Sequence, residues 1–258
     1  MKYFPKNPNY RASLVLIIMA GVLVTTALMT NRGDFTSAAL VVSGLVCLLT
    51  SIFFAALSGS DPLDLRYLSL FPVQGSINLT RACVDLGIQG NACIIPAGRD
   101  DRPVTMQFLS VAAYHGIPLP KESFVTGPDT AGIQMEPSCA PLLRLLRERE
   151  HLVIPSDLDA LKEIIRELGE EVLEVADRVR STQDGESITV RMEGYRLIGG
   201  CRAMTLESPR CCTANPCPVC SLYATVFAEG TGNVIQLERC APDSGQPTVT
   251  AVFSVLHE

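Results

Sequence analysis

Cysteine is the residue type in this chain whose number and spacing ask for a chemical explanation. Six of the ten cysteines fall between positions 201 and 240: Cys201, Cys211, Cys212, Cys217, Cys220 and Cys240. The densest run reads Cys211-Cys212-Thr213-Ala214-Asn215-Pro216-Cys217-Pro218-Val219-Cys220. Cys217 and Cys220 have the two-residue spacing of a metal knuckle. Cys211 or Cys212, together with Cys240, could complete four thiolates around zinc or an iron–sulfur cluster. The same Cys-Pro-Val-Cys run also suits thiol–disulfide exchange by Cys217 and Cys220, because thiolate character controls that chemistry. A third reading is structural, since free cysteine behaves as a small buried hydrophobe. Cys47, Cys83, Cys93 and Cys139 ask for no more than that, and for the cluster all three readings stay open.

The elements that must position these thiols can be read around them. Pro218 is suited to the first position of a helix, which would run through Leu222, Val226 and Phe227 to Gly230 or Gly232. Cys217 would then be its N-cap and Cys220 would lie in its first turn, where the helix dipole lowers a thiol pKa. Residues 187–193 alternate apolar and polar, which predicts a half-buried strand; 234–239 and 248–256 read as two more, joined by a polar turn at 242–247. Residues 157–180 carry Leu158, Leu161, Ile164, Ile165, Leu168, Val172, Val175 and Val179 at helical spacing, with Ser156 as N-cap and Asp159 in a capping-box position. Upstream, a helix over 79–86 ends at Gly87, and strands at 92–96 and 104–111 flank the charged loop Gly98-Arg99-Asp100-Asp101-Arg102-Pro103. Residues 115–137, rich in Pro and Gly, read as irregular, and a helix follows over 138–150. This order predicts an α+β domain with a largely antiparallel sheet.

Ahead of that domain lie two runs without a charged residue, 12–31 and 35–60. Each meets the ~20 residues needed to cross ~30 Å of hydrocarbon, and apolar residues cover every helical face. The turn-like Asn31-Arg32-Gly33-Asp34 between them predicts an antiparallel transmembrane helical hairpin over 12–58. Gly21 and Gly44, with Ala20, Ser43 and Ala55, are small residues of the kind that let helices approach in lipid. Lys2, Lys6 and Arg11 precede the first span, whereas Arg32 in the loop is balanced by Asp34. The positive-inside rule therefore places both the N-terminus (1–11) and the C-terminal domain (61–258) in the cytoplasm of a two-pass cell-membrane protein. A subdivision of that domain near 151–156 is the alternative organisation. Reducing conditions there favour free thiols or bound metal over disulfides.

Charge narrows the partners. Residues 1–60 carry four basic residues and one acidic, which leaves 17 basic against 26 acidic, a net of −9, in the remainder of a chain of net charge −6. Such a surface repels phosphate backbones, which argues against nucleic acid. Other motifs are thin. His115, His151 and His257 have no partner at ligand spacing, Asp100 and Asp101 sit in a turn, and Gly199-Gly200 and Gly230-Thr231-Gly232 match no phosphate loop. No serine elbow, HExxH or paired-carboxylate motif points to an enzyme.

On these residues the layout resembles an uncharacterised family of archaeal two-pass membrane proteins: hairpin anchor, α+β cytoplasmic domain, then Cys-Pro-Val-Cys-Ser, a small-residue helix and Gly-Thr-Gly. That likeness implies no known activity. Residues 195–256 also resemble the end of 4-vinyl-reductase-type domains, which implies small hydrophobic ligands and sensing. The family's cysteine in the last strand is replaced here by Thr250-Ala251-Val252-Phe253. The expectation is a non-enzymatic, membrane-anchored module that meets the bilayer through 12–58 and binds a ligand, a metal or a protein partner, a second copy included. A thiol-redox protein using Cys217 and Cys220, or a scaffold subunit of a membrane assembly, are the alternatives.

Overall fold

The computed structural model describes residues 8–30, 35–57, 65–99, 103–114, 116, 118–120, 122–127 and 130–256. The expectations placed on Lys2, Lys6, the 31–34 turn, Asp61, Asp64, the Asp100–Arg102 part of the charged loop, His115 and His257 lie outside the described residues, as do the side chains of Arg11 and Arg66. The chain divides into two compact units, 1–63 and 64–258.

The first unit is a pair of apolar helices, α1 (Pro8–Thr30) and α2 (Phe35–Leu57). Both are long and apolar enough to cross a membrane, over Ala12–Thr30 and Phe35–Ala56, and most of their apolar side chains face outward. They run antiparallel and touch through small residues, as the sequence suggests, but through only part of the expected set. A side chain on Gly44 would meet Val24 Cγ2 at 2.8 Å and the Ala20 carbonyl at 3.4 Å, and Ala20 and Ala27 are buried. Gly21 has nothing within reach, and Ser43 and Ala55 are exposed. A polar clasp that the sequence reading did not single out closes one end: the Ser13 and Ser51 hydroxyls lie 3.2 Å apart, and Ser51 Oγ also donates to the Ser13 carbonyl at 3.1 Å. Such pairs bind helices in lipid because the groups have no water to turn to.

The second unit is α+β, built on one eight-stranded sheet in which every described pairing is antiparallel. Two short helices open it, α3 (Leu65–Leu68) and α4 (Val73–Asp85), the latter closed by a glycine at φ 77°, Gly87. Then come β1 (Ala92–Ile95), β2 (Met106–Ser110), β3 (Phe124–Val125) and β4 (Gly132–Met135), followed by α5 (Ala140–Arg149) and α6 (Leu158–Glu167). The remainder is β5 (Arg178–Asp184), β6 (Ser187–Glu193), α7 (Ile198–Glu207), α8 (Arg210–Ala214), α9 (Pro218–Thr231), β7 (Val234–Pro242) and β8 (Thr248–Leu256). The sheet order is β3-β4-β2-β1-β7-β8-β6-β5, so the pairing of β1 with β7 stitches the early and late halves into one sheet.

Three local expectations are corrected. The Pro- and Gly-rich stretch 115–137 is not wholly irregular, because β3 and β4 form there by pairing with each other and with β2. The helix expected over 157–180 stops at Glu167 and passes into a π-helical turn, Leu168–Val172. A side chain on Gly169 would meet Tyr223 Oη at 2.4 Å and Val179 Cγ2 at 2.6 Å, so only glycine fits where this turn packs. Glu174, at φ 48°, then reverses the chain into β5. The N-cap of α6 is Asp157, whose carboxylate accepts from Ala160 N at 3.0 Å, not Ser156. Elsewhere Arg166 pairs with Glu170 at 3.1 Å and Glu174 with Arg196 at 3.7 Å.

One face of the sheet carries the main core. Ile188, Val190 and Met192 of β6 and Val249, Ala251 and Phe253 of β8 meet α6, α7 and α9 there. Every residue of α9 from Val219 to Ala228 is buried, so this helix is the axis of the domain.

Candidate functional site

The cysteines converge where α7, α8 and the start of α9 meet β7. Cys217 is the N-cap residue of α9, with Pro218 first in the helix and Cys220 in its first turn, as the sequence predicts. Gly232, at φ 71°, closes the helix.

Cys240 reaches the same place through an irregularity in β7. Leu237 pairs with Phe253 and Arg239 with Val252, so Glu238 is an extra residue, a β-bulge. In a regular strand, residues three apart face opposite sides. Here Leu237 and Cys240 both point into the core, at 1% and 6% exposure, while Glu238 and Arg239 both face out. The bulge is what turns Cys240, rather than Arg239, inward.

Cys201, Cys212, Cys217, Cys220 and Cys240 lie close enough together to perturb one another's titration. The Cys220 and Cys240 sulfurs are 3.9 Å apart. Cys201 belongs to the cysteine-rich segment, but its spacing does not mark it as a ligand. It comes from α7, whose close approach depends on Gly200: a side chain there would lie 2.2 Å from the Ser69 carbonyl. The Gly199-Gly200 pair thus packs a helix and cradles no phosphate. Cys211, a candidate ligand from the sequence, stands apart, with its thiol hydrogen-bonded to Thr80 of α4. Helix phase separates the adjacent Cys211 and Cys212.

The group is electrostatically polarised. Hydrogen bonds from Cys201 and Cys220, reinforced by the amides of Val219 and Cys220 at the helix start, hold Cys217 well below the usual thiol range despite burial. Its partners are pushed the other way: Cys201 by its bonds to Cys217 and Cys240, and Cys220 first by its bond to Cys217. At Cys240 the bond to Cys201 holds the thiol down, but bonds to Cys212 and Cys220 and burial outweigh it, and the net shift is upward. Burial also pushes up the Tyr195 phenol, which sits beside Cys217, Cys201 and Cys220.

Two kinds of chemistry fit. Zn–S bonds of about 2.3 Å at tetrahedral angles set sulfurs about 3.8 Å apart, which matches the Cys220–Cys240 pair. An iron–sulfur cluster, whose sulfides intervene, holds its cysteines further apart, so the spacing suits a single ion. Among the described residues no group of three or more His, Cys, Asp or Glu is placed to hold a metal ion as it stands, so a metal would require other thiols to move onto that pair. The second kind is thiol exchange, with Cys217 as nucleophile and Cys220 beside it. All ten cysteines are free. Comparison of the chain with family models, with curated proteins and with solved structures found no match in any of the three.

Proposed function

We propose that this chain is a membrane-anchored module whose cytoplasmic domain binds one thiophilic metal ion, zinc above all, through Cys201, Cys217, Cys220 and Cys240. The observation that carries the reading is the convergence of these four cysteines from α7, α9 and β7, with the Cys220 and Cys240 sulfurs 3.9 Å apart. A soft metal would add to the packing of these buried thiols by tying α7, α9 and β7 together. Ten free cysteines and the basic N-terminal flank support a domain on the reducing side of the membrane. Cys212 is a fifth thiol that can hydrogen-bond to a ligand sulfur and tune it.

The full chain, purified anaerobically in mild detergent, tests this by elemental analysis and by the absorption of a cobalt-substituted sample. The reading expects about one metal ion per chain and thiolate-to-cobalt bands, both lost in Cys217→Ser/Cys220→Ser. A chain without zinc or iron, whose folding is indifferent to that double substitution, would sink it.

One observation favours a second reading. A thiol held down three residues from one pushed up is the polarity of a redox dithiol, with Cys217 attacking and Cys220 resolving. A metal-free chain whose Cys217–Cys220 pair cycles at a measurable potential would establish that reading instead.

A further inference from the structure

The thiol group forms one edge of a larger feature. A partly open cavity of about 460 Å3 lies against it, with Cys201 and Cys217 in its wall. The rest of the lining is almost wholly apolar and includes Leu197 at the N-cap of α7, Met204 of α7 and Val219 of α9. Among the described residues no charged side chain lines it. The volume falls in the ~300–1,000 Å3 range of small-molecule sites.

Leu68, Phe71 and Val73, from the segment that follows the helical hairpin, also line it. Residues 58–64, seven positions, separate the end of α2 from the start of α3. This segment is bound to the domain at Ser69, which packs on Gly200, yet it presents Tyr67, Leu68, Leu70 and Phe71 outward; Tyr67 is 64% and Phe71 69% exposed. Four large apolar residues exposed within five positions are costly in water and at home at a lipid surface, where an aromatic ring sits at headgroup level.

We propose that the cavity holds a lipophilic molecule with a hydrocarbon body, and that it is loaded from the bilayer through the 65–71 segment lying on the membrane surface. The proposal rests on the membrane anchorage given above and is independent of the metal. The wall chemistry selects an apolar body, and the short tether from α2 makes the bilayer the source. Because Cys201 and Cys217 belong to both the wall and the thiol group, an occupant touches the residues that would hold the metal.

The test uses the full chain in phosphatidylcholine nanodiscs containing dodecanoic acid that bears a diazirine, with photolabelled peptides mapped by mass spectrometry. Labelling is expected on the stretches 197–204 and 217–219. It should fall at least tenfold in Leu197→Trp, which fills the cavity, and persist in Leu197→Ala, which enlarges it; matching thermal melts exclude misfolding. Leu70→Glu/Phe71→Glu should lose cavity labelling in nanodiscs but keep it when the chain and probe are mixed in detergent. Labelling confined to α1 and α2, or unchanged by Leu197→Trp, overturns the cavity. Unchanged nanodisc labelling of Leu70→Glu/Phe71→Glu overturns the bilayer route and leaves solution as the source. A chain that fails to stay with the nanodisc overturns the anchorage and that route together, while metal content, read separately, reports on the thiol site alone.

Discussion

The bulge in β7 makes an unusual demand on deletion variants. Glu238 and Arg239 together occupy a single outward position between two inward residues, Leu237 and Cys240. Deleting Glu238 alone should therefore leave a regular strand with Arg239 outward and Cys240 still in the core. Deleting both residues should throw Cys240 onto the open face and bring Ala241 inward. The cost of the single deletion can be bounded from what Glu238 does. Its carboxylate accepts from Ser254 Oγ at 2.7 Å and from Asn91 Nδ2 at 3.2 Å, both at the surface. Two such bonds are worth about 1–3 kcal/mol together, which a domain stable by ~5–15 kcal/mol survives. The assay is iodoacetamide modification of Cys240 in the native full chain, read by mass spectrometry beside a thermal melt. Cys240 should stay protected in the single deletion and react as fast as in unfolded chain in the double deletion. Rapid modification in the single deletion, or protection in both, would refute the register argument and remove Cys240 from the thiol group.

Three further outcomes follow from the packing and titration of the domain. Burial pushes the Cys93 thiol up to about 12; a raised folded-state value leaves stability intact below the unfolded value near 9 and removes it as pH climbs towards 12. Denaturant titrations of the full chain should thus lose about 1.4 kcal/mol per pH unit from this group across that window, and Cys93→Ala should flatten the slope. Gly169→Ala forces a methyl against Tyr223 Oη and Val179, for a loss of about 1–3 kcal/mol. Among the described residues the Tyr223 hydroxyl has no hydrogen-bond partner, so Tyr223→Phe should be close to neutral and should relieve part of the Gly169→Ala defect in a double-mutant cycle. In the hairpin, Gly44→Leu should separate the two helices as read by cross-linking of Cys pairs, while Ser13→Ala/Ser51→Ala should cost only about 1 kcal/mol.

The features that sequence carried were those with a local signal. The uncharged runs of the hairpin, the alternation of 187–193 and the Cys-Pro-Val-Cys helix start each follow from the residues within one element, and each is present. The strands at 124–125 and 132–135 have no such signal, because β4 takes its identity from pairing with distant β2, and β3 from pairing with β4. The helix over 157–180 was overdrawn because Val175 and Val179 continue the period of α6 while serving a turn and a strand. The interruption lies in Gly169, whose partner Tyr223 is more than fifty positions away. The thiol site was half legible for the same reason. Cys217 and Cys220 are fixed by one helix start. Cys201 enters through a Gly200–Ser69 contact, Cys240 through a bulge, and Cys211 leaves through helix phase. None of these is written in spacing.

The most direct test of the thiol assignment is cooperative protection. Full chain purified without oxygen is treated with N-ethylmaleimide in the presence and absence of a strong chelator, and each modified cysteine is identified by mass spectrometry. The account predicts that Cys201, Cys217, Cys220 and Cys240 are protected as a set and become reactive together as metal is stripped, while Cys211 is unaffected by the chelator. Independent reaction of the four thiols, or protection that a chelator does not change in a chain carrying no metal, would contradict it.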